Sequence, residues 1–203
     1  MPTSFVNSRP IMAHHRQART VTTTQIQQAL QTANTLRHPD RNTAMLLLSF
    51  KAGLRAGEIA KLEWSMLLDA NNKLGTSINL PGRITKNAHA RRVPLHPDLR
   101  KALQKLAKNA GRAGPVILSE RGSAMSAKSV VNWFKHIYAL SGLEGCSSHS
   151  GRRTFVTQAA RLVHKAGGSL RDVQLLVGHR SITTTQRYID GDSDAQRRLV
   201  RLI

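Results

Sequence analysis

A stretch rich in turn signals, residues 64–95, interrupts a chain that is otherwise patterned as helix. Before it, apolar residues recur at helical spacing in TTTQIQQALQTA and again over 41–52. Within it, Asn71-Asn72 and Pro81-Gly82 separate short β-prone runs such as TSINL and RRVPL. After it, the helical pattern returns. This order predicts a mainly α fold with a small antiparallel β-sheet of about three strands, an α+β domain.

The chain has 203 residues, which is enough for one substantial hydrophobic core. We expect residues 1–20 to form a flexible basic arm and residues 21–203 to form a single domain. The predicted helices lie at about 22–33, 41–52, 57–62, 97–109, 126–141, 149–165, 169–177, 181–190 and 194–202.

Charge and composition narrow the class of partner. Lys and Arg number 31 against 11 Asp and Glu, for a net charge of +20, which favours a polyanion such as nucleic acid. The longest apolar run, 44–50, is far below the ~20 residues of a membrane span. The N-terminus carries no apolar secretory signal, so we expect a cytoplasmic protein without membrane contact. Cys146 is the only cysteine, which excludes intrachain disulfides.

Metal and nucleotide motifs are missing from the sequence. DGDSDA at 190–195 resembles the start of a calcium loop, but Ala195 stands where that loop needs Gly and Arg201 where it needs Glu. No HExxH pair and no glycine-rich phosphate loop occurs in the sequence. We therefore expect neither a metal nor another cofactor.

The segment HSGRRTFVTQAARLV places a cation on an apolar helix face. Arg152, Val156, Ala159 and Val163 share that face, and His149 precedes Arg152 by three residues. Two interpretations stay open at this point. Either His149 caps the helix and the Arg152 head reaches water, or the two line a phosphate-binding cleft, because guanidinium offers a planar fork for two phosphate oxygens.

Two further segments carry candidate cations. In KAGLRAGEIAKLEW, Arg55 lies in a turn between two helices and Glu58 could orient its guanidinium, although a plain surface ion pair explains the same pattern. In RITKNAHARRVPL, Lys86 lies near the tip of a predicted hairpin, and such a basic hairpin is typical of a phosphate-contacting surface.

LLVGHRSITTTQRYI supplies a histidine and a tyrosine. His179 follows a helix that ends at Gly178, and Tyr188 comes nine residues later on a short element. Tyr138 belongs to the apolar stripe of helix 126–141, so Tyr188 is the freer of the two tyrosines. The alternative is an aromatic side chain that docks its helix onto the core.

Taken together, GLRAGEI, TKN, HSGRR, VGH and the tyrosine nine residues after that histidine resemble the catalytic domain of tyrosine recombinases of the phage integrase type. The resemblance spans about residues 20–203. It implies a site-specific DNA recombinase that forms a 3′-phosphotyrosine without metal, cofactor or ATP. By the same resemblance the site residues are Arg55 and Arg152 as phosphate clamps, His149 and His179 as the paired histidines, Lys86 as proton donor, Glu58 as orienter and Tyr188 as nucleophile.

The implied chemistry agrees with general physics. A free tyrosine, with a pKa near ~10, is a weak nucleophile until nearby cations and a base favour its anion. Phosphoryl transfer spreads negative charge over oxygens that guanidinium groups can stabilise. We also expect DNA contacts from the arginines near these motifs, namely Arg83, Arg91, Arg92, Arg153 and Arg180.

The sequence departs from the family pattern in two places. The family usually has Leu-Arg-His where this chain has Gly151, Arg152 and Arg153, and most members carry a DNA-binding domain before the catalytic one, where only the arm is expected here. The resemblance implies double-stranded DNA as partner and a homotetramer on paired sites, with residues 193–203 docking on a neighbouring protomer and an accessory DNA-bending or directionality protein. A monomer without DNA, a catalytically weak DNA-binding accessory protein or repressor on the same fold, and a relaxing topoisomerase stay open as alternatives.

Overall fold

The computed structural model describes residues 18–86 and 88–188, together with residues 197, 200 and 201. These residues form a mainly helical protein with a two-stranded antiparallel sheet. The helices are α1 (Thr23–Thr35), α2 (Pro39–Ala52), α3 (Ala56–Ala60), α4 (Pro97–Ala110), α5 (Ala127–Leu140), α6 (Ser150–Leu162), α7 (Leu170–Val177) and α8 (Ile182–Gln186). The strands are β1 (Ser77–Leu80) and β2 (Arg91–Pro94). None of the described helices combines the length and apolar character that a membrane span requires.

Local chemistry sets the ends of the first helices. Thr22 caps α1, because its hydroxyl accepts from the Gln25 amide while the Gln25 side chain accepts from the Thr22 amide. Pro39 opens α2, where its missing N–H costs nothing, and Gly53 ends α2 at a φ of 62° that suits glycine. Both helices therefore begin and end close to where the sequence predicts.

Helix α2 is the centre of the main core, the hydrophobic cluster that joins α1 to α5 with the sheet. Every residue from Ala44 to Phe50 is buried, and α1, α3, α4 and α6 all pack against this helix. At the start of α2, Asp40 pairs with Lys105 of α4 at 2.8 Å. The apolar run that the sequence assigns to a core helix is thus the scaffold on which the other helices assemble.

Gly151 lets α6 approach α2 more closely than any other residue would allow. A methyl group at this position would overlap the Ser49 hydroxyl and lie 2.9 Å from Ser49 Cβ. The missing side chain therefore removes no packing, since the backbone of α6 occupies that space itself. This contact fixes the start of α6, and Arg152 follows directly.

The sheet is smaller than the predicted three strands. β1 and β2 pair with Ile78 opposite Val93, and both side chains are buried in the main core. The third predicted strand is wrong: Leu68 and Leu74 share a single bridge. The Asp69 carboxylate accepts from the amides of Asn71 and Lys73, both at 2.9 Å, and closes the chain into a tight turn before a ladder can extend.

A second, smaller hydrophobic group lies between α6 and α7. This small cluster consists of Val156, Ala160, Val163, Val173 and Val177, with Phe155 and Tyr188 packed at its edge. Helix α8 follows in the chain and is shorter than the predicted 181–190. The predicted arm and the predicted last helix fall almost wholly outside the described residues.

Candidate active site

A cleft of about 550 Å³ opens where the starts of α3 and α6 meet the junction of α7 and α8. Its described lining includes neither Asp nor Glu, so the charges on its wall are cationic. The lining residues are Ala18, Arg55, Lys86, Gly145, Ser147, His149, Arg152, Arg153, His179, Thr184 and Tyr188. The structure thus brings all six side chains predicted for catalysis to one cavity.

Arg55 is held at the cleft by Glu58, at the first turn of α3. One carboxylate oxygen of Glu58 accepts from the Arg55 amide at 2.9 Å, and the other accepts from Arg55 Nη1 at 3.1 Å. Arg91 of β2 donates to the same two oxygens at 2.9 and 2.7 Å. One buried carboxylate therefore holds two guanidinium groups, and 20% of the Arg55 side chain stays exposed to the cleft.

The Glu58 carboxylate stays ionised in this setting. Burial alone would raise its pKa, but the hydrogen bonds and charges of Arg91 and Arg55 outweigh burial and leave the pKa below its ordinary value. An ionised, doubly paired Glu58 neutralises part of the charge of Arg91 and Arg55. It also fixes the Arg55 guanidinium in a single orientation.

Arg91 differs from the prediction of a surface DNA contact. Its side chain is only 5% exposed, and its guanidinium lies in the interior against Glu58. Strand alternation explains this placement, because Arg91 shares a face of β2 with the buried Val93, whereas Arg92 points outward. Arg91 therefore supports the orienting carboxylate from behind.

Arg152 has no carboxylate partner among the described residues. Its Nη1 donates to the Gly53 carbonyl at 2.6 Å and its Nη2 to the Val177 carbonyl at 2.7 Å. Burial, followed by the charge of Arg55, lowers its pKa to about 9, so the side chain is still a cation at neutral pH. A buried guanidinium that is held by carbonyls and lacks an anion is suited to bind one.

His149 and Lys86 stand at the outer part of the cleft. His149 precedes the first residue of α6, and its pKa is lowered by desolvation and then by the charges of Arg55, Arg152 and Lys86. It is therefore mainly neutral at pH 7 and able to accept a proton. Lys86 is exposed in the turn that follows residues 82–84.

His179 is fixed by the residues around it. Its backbone N–H donates to the Gln174 carbonyl at 3.1 Å, and its Nδ1 lies 2.9 Å from the hydroxyl of the buried Thr185. Burial, followed by the charges of Arg152 and Arg55, lowers its pKa to about 4. The imidazole is neutral at pH 7, and when Thr185 donates to Nδ1 the ring proton is on Nε2.

The Tyr188 ring lies in the cleft beside His179. Their ring centroids are 5.6 Å apart and their planes differ by 22°, and Arg153 Cζ lies 5.3 Å from the Tyr188 centroid. The charge of an ionised Tyr188 acts to raise the pKa of Arg152, so the two groups interact. Tyr138, in contrast, is 1% exposed among Phe50 and Phe134, and burial raises its pKa above the ordinary value.

The other predicted DNA contacts are distributed over the surface. Arg83, Arg92 and Arg180 are exposed and outside the cleft lining, and Arg92 Nε donates to Ser77 Oγ at 2.5 Å. Arg153 is half-buried and inside the cleft.

Several residues at the site were not predicted from the sequence. Thr185 and Gln174 hold His179, and the carbonyls of Gly53 and Val177 hold Arg152. Gln174 and Val177 are three residues apart in the helix before His179, so helical spacing predicts that they share one face of that helix. This spacing could have indicated that Gln174 lies near the site. The carbonyl partners leave no trace in residue type.

The chain is similar to known proteins in sequence and in fold. A family model described as the phage integrase family matches residues 19–194. The tyrosine recombinase XerC of Rhodospirillum centenum is 32% identical over 161 residues, which cover 76% of this chain and 43% of that protein. XerC of Xylella fastidiosa strain M23 is 32% identical over 152 residues, which cover 73% of this chain and 48% of that protein. The chain thus spans about half the length of these curated relatives.

Solved structures share the fold. The XerA recombinase matches with a TM-score of 0.70 at 20% identity, over 94% of this chain and 65% of that one. A lambda integrase dimer bound to a COC′ core site matches with a TM-score of 0.69 at 23% identity, over 92% of this chain and 51% of that one. These matches confirm the predicted fold class, mainly α with a small antiparallel sheet.

Proposed function

Because this chain belongs to the phage integrase family, we propose that it is a site-specific DNA recombinase that cuts and rejoins strands through a covalent bond to Tyr188. One observation carries the proposal: Arg55, Arg152, two neutral histidines and a tyrosine line a single cleft whose described wall has no carboxylate. Such a cleft attracts a phosphate and offers it a nucleophile.

In the proposed reaction the phosphate is held before it reacts. The guanidinium groups of Arg55 and Arg152 bind its non-bridging oxygens, because both carry donors and neither is fully neutralised. Their charge stabilises the transition state, in which negative charge spreads over those oxygens. His179, neutral and anchored through Nδ1, adds a hydrogen bond from Nε2 and no charge.

Tyr188 then attacks the phosphorus. A bond forms between its phenol oxygen and phosphorus, and the bond from phosphorus to the 5′ oxygen of the next nucleotide breaks. His149, neutral at pH 7, takes the phenol proton, and Lys86 gives a proton to the leaving oxygen. The product is a 3′-phosphotyrosine and a free 5′ hydroxyl, and a second strand can reverse the step without ATP.

The proposal extends to partners and assembly. The net charge of +20 supports double-stranded DNA as the substrate. The lambda integrase neighbour was solved as a dimer on a core site, which supports assembly on DNA. We propose a tetramer on paired sites, with residues 21–203 as the catalytic domain, residues 1–20 as an arm and residues 193–203 docking on a neighbour.

Trapping the covalent intermediate tests the function. In randomly nicked duplex fragments from the source cell, the short segment between the cleaved linkage and a downstream nick carries the new 5′ hydroxyl and diffuses away, so that protein-linked DNA accumulates. We expect the adduct to disappear in Tyr188→Phe while DNA binding persists. Sequencing the trapped DNA would also identify the target.

Tyr138→Phe is the matched control, since it removes the other tyrosine hydroxyl of the chain. That hydroxyl is buried without a hydrogen-bond partner in the described part of the structure, so its loss leaves the fold intact. We expect this variant to form the adduct at the unmodified rate. An adduct that survives Tyr188→Phe would refute the assignment.

A further inference from the structure

We propose that Arg153 is a positioning residue for the nucleophile: its guanidinium holds the Tyr188 phenol over the cleft, a role that rests on the proposed function. The sequence predicts Arg153 only as a DNA contact. The structure gives its guanidinium a more specific partner.

The geometry is that of a cation–π contact. Arg153 Cζ lies 5.3 Å from the centroid of the Tyr188 ring, within the ~6 Å over which a guanidinium is attracted to an aromatic face. The same ring is stacked on His179. Two side chains, one from α6 and one from the connection between α7 and α8, therefore define the orientation of the phenol.

Arg153 differs from the other arginines of the cleft in its partners. The guanidinium of Arg55 is bound to Glu58, and that of Arg152 is bound to two carbonyls. Within residues 18–86 and 88–188, the guanidinium of Arg153 makes neither a hydrogen bond nor an ion pair, and it lies half-buried beside Tyr188. Among these residues the aromatic ring is thus the partner of this guanidinium.

Tyr188 needs such a partner because little else fixes it. It follows a five-residue helix and packs at the edge of the small cluster. Its backbone N–H donates to the Thr185 carbonyl at 3.1 Å, which orients the chain but leaves the side-chain torsions free. Contacts to the ring are what restrict the phenol oxygen to one region of the cleft.

Helix α6 ties the nucleophile to the phosphate clamp. Arg152 and Arg153 are consecutive residues of α6, and Gly151 seats that helix directly on Ser49 of α2. The helix backbone therefore starts both side chains, the one proposed to bind phosphate and the one proposed to hold the ring, from a single rigid element. The cation also favours an electron-rich ring, and ionisation of the phenol makes the ring more electron-rich.

The kinetic test compares Arg153→Met, which keeps much of the side-chain length without charge, with Arg153→Lys, which keeps a cation. At saturating DNA we expect adduct formation to be about tenfold slower in Arg153→Met, the size of a partly desolvated cation–π contact, and to recover largely in Arg153→Lys. The dissociation constant for DNA should change less than this rate. A variant with weaker DNA binding and an unchanged rate at saturation would overturn the proposal, because that result describes a phosphate contact.

Arg187→Met is the matched control, since it removes the same charge one residue from Tyr188, at an exposed position outside the cleft lining. We expect its rate at saturating DNA to match that of the unmodified protein. A loss equal to that of Arg153→Met would also overturn the proposal, because it would reduce the effect to net charge.

A measurement without DNA separates this inference from the proposed function. In a Tyr138→Phe background Tyr188 is the only tyrosine, so ¹³C-tyrosine labelling reports its ring alone. We expect Arg153→Met to shift the ring signals and Arg187→Met to leave them nearly unchanged. Unchanged signals in Arg153→Met would remove the contact and the inference with it. Absence of any adduct from the unmodified protein would instead end the proposed function, even where the ring signals confirm the contact.

Discussion

The main core and the small cluster carry different parts of the candidate active site. The main core, built around α2, fixes Arg55, Glu58 and the start of α6 through large buried side chains such as Phe50, Trp64 and Phe134. The small cluster joins α6 to α7 through five buried valines and alanines, and it carries His179 and Tyr188. The proposed phosphate clamp is thus anchored mainly in the large hydrophobic core, with one hold on Arg152 from the Val177 carbonyl of the small cluster, and the proposed nucleophile packs on the small cluster.

In the proposed strand exchange, the two sets of side chains have to meet different requirements. The clamp has to be in place before DNA arrives, because preorganised charge stabilises a transition state without a cost in reorganisation. The nucleophile has to leave and return as strands change, and an element with few buried apolar contacts opens at a lower free energy than the whole domain. The large core therefore suits the side chains proposed to bind the phosphate, and the small cluster suits the tyrosine proposed to move.

The largest expected effect is a loss of unfolding free energy when the buried carboxylate of Glu58, in the main core, is replaced. Glu58→Gln leaves the Arg91 guanidinium buried opposite a neutral amide, and removing one partner of a buried ion pair costs about 3–5 kcal/mol of unfolding free energy. We expect urea unfolding to show a loss in this range. Adduct formation should fall as well, because Arg55 loses the carboxylate that orients it.

Glu63→Gln is the control for that variant, since Glu63 is exposed and its carboxylate accepts only from the Ser65 hydroxyl in the described structure. We expect its unfolding free energy to stay within about 0.5 kcal/mol of the unmodified protein. A Glu58→Gln protein as stable as this control would mean that the main core does not depend on the buried carboxylate.

The two regions also differ in how far the sequence predicts them. The apolar run over residues 44–50 is by itself enough to predict that α2 is buried, and all seven of these residues are buried in the structure. The cleft was predicted from ordered motifs, which name side chains but carry no distances. The stacking of Tyr188 on His179 and the hold of two carbonyls on Arg152 depend on backbone positions that residue types do not encode.

The misplacement of Arg91 has a local physical reason. Its sequence neighbours Arg92 and Ala90 are exposed, and the basic run suggests a solvated edge. Side chains alternate between the two faces of β2, so Arg91 lies on the same face as Val93, where it pairs with the buried carboxylate of Glu58.

A smaller effect tests the independence of the small cluster. Val173→Ala removes two buried methyl groups, worth about 1.5 kcal/mol, from the contact between α6 and α7. We expect amide hydrogen exchange to quicken in α7 and α8 and to stay unchanged in the slowest amides of α2. Adduct formation should slow more than DNA affinity falls, because Glu58 still holds Arg55 and the Gly53 carbonyl still holds Arg152, while the Val177 carbonyl is the one hold on Arg152 that this variant loosens.

Val93→Ala makes the same chemical change in the main core, where Val93 is 1% exposed. Its cost of about 1.5 kcal/mol should appear in the slowest amides of α2 as well, since these exchange only by opening of the whole core. The comparison between regions fails if both valine variants give the same exchange pattern.

The effect that is smallest at neutral pH is the pH dependence of the unfolding free energy, and it tests the surroundings of His179. Its pKa is lowered from 6.5 to about 4 by burial and by the charges of Arg152 and Arg55. Between these two values the unfolded chain binds a proton that the folded protein does not, so the unfolding free energy falls as pH drops through this window.

His179→Gln keeps a polar side chain beside Thr185 without this titration, and we expect its unfolding free energy to depend less on pH from about 6.5 down to 4. The lowered pKa of Glu58 contributes equally to the pH dependence of both proteins, so its contribution cancels when the two unfolding free energies are subtracted. His164→Gln, at an exposed position, should keep the original slope, and an unchanged slope in His179→Gln would mean that burial and the nearby cations do not hold the imidazole neutral.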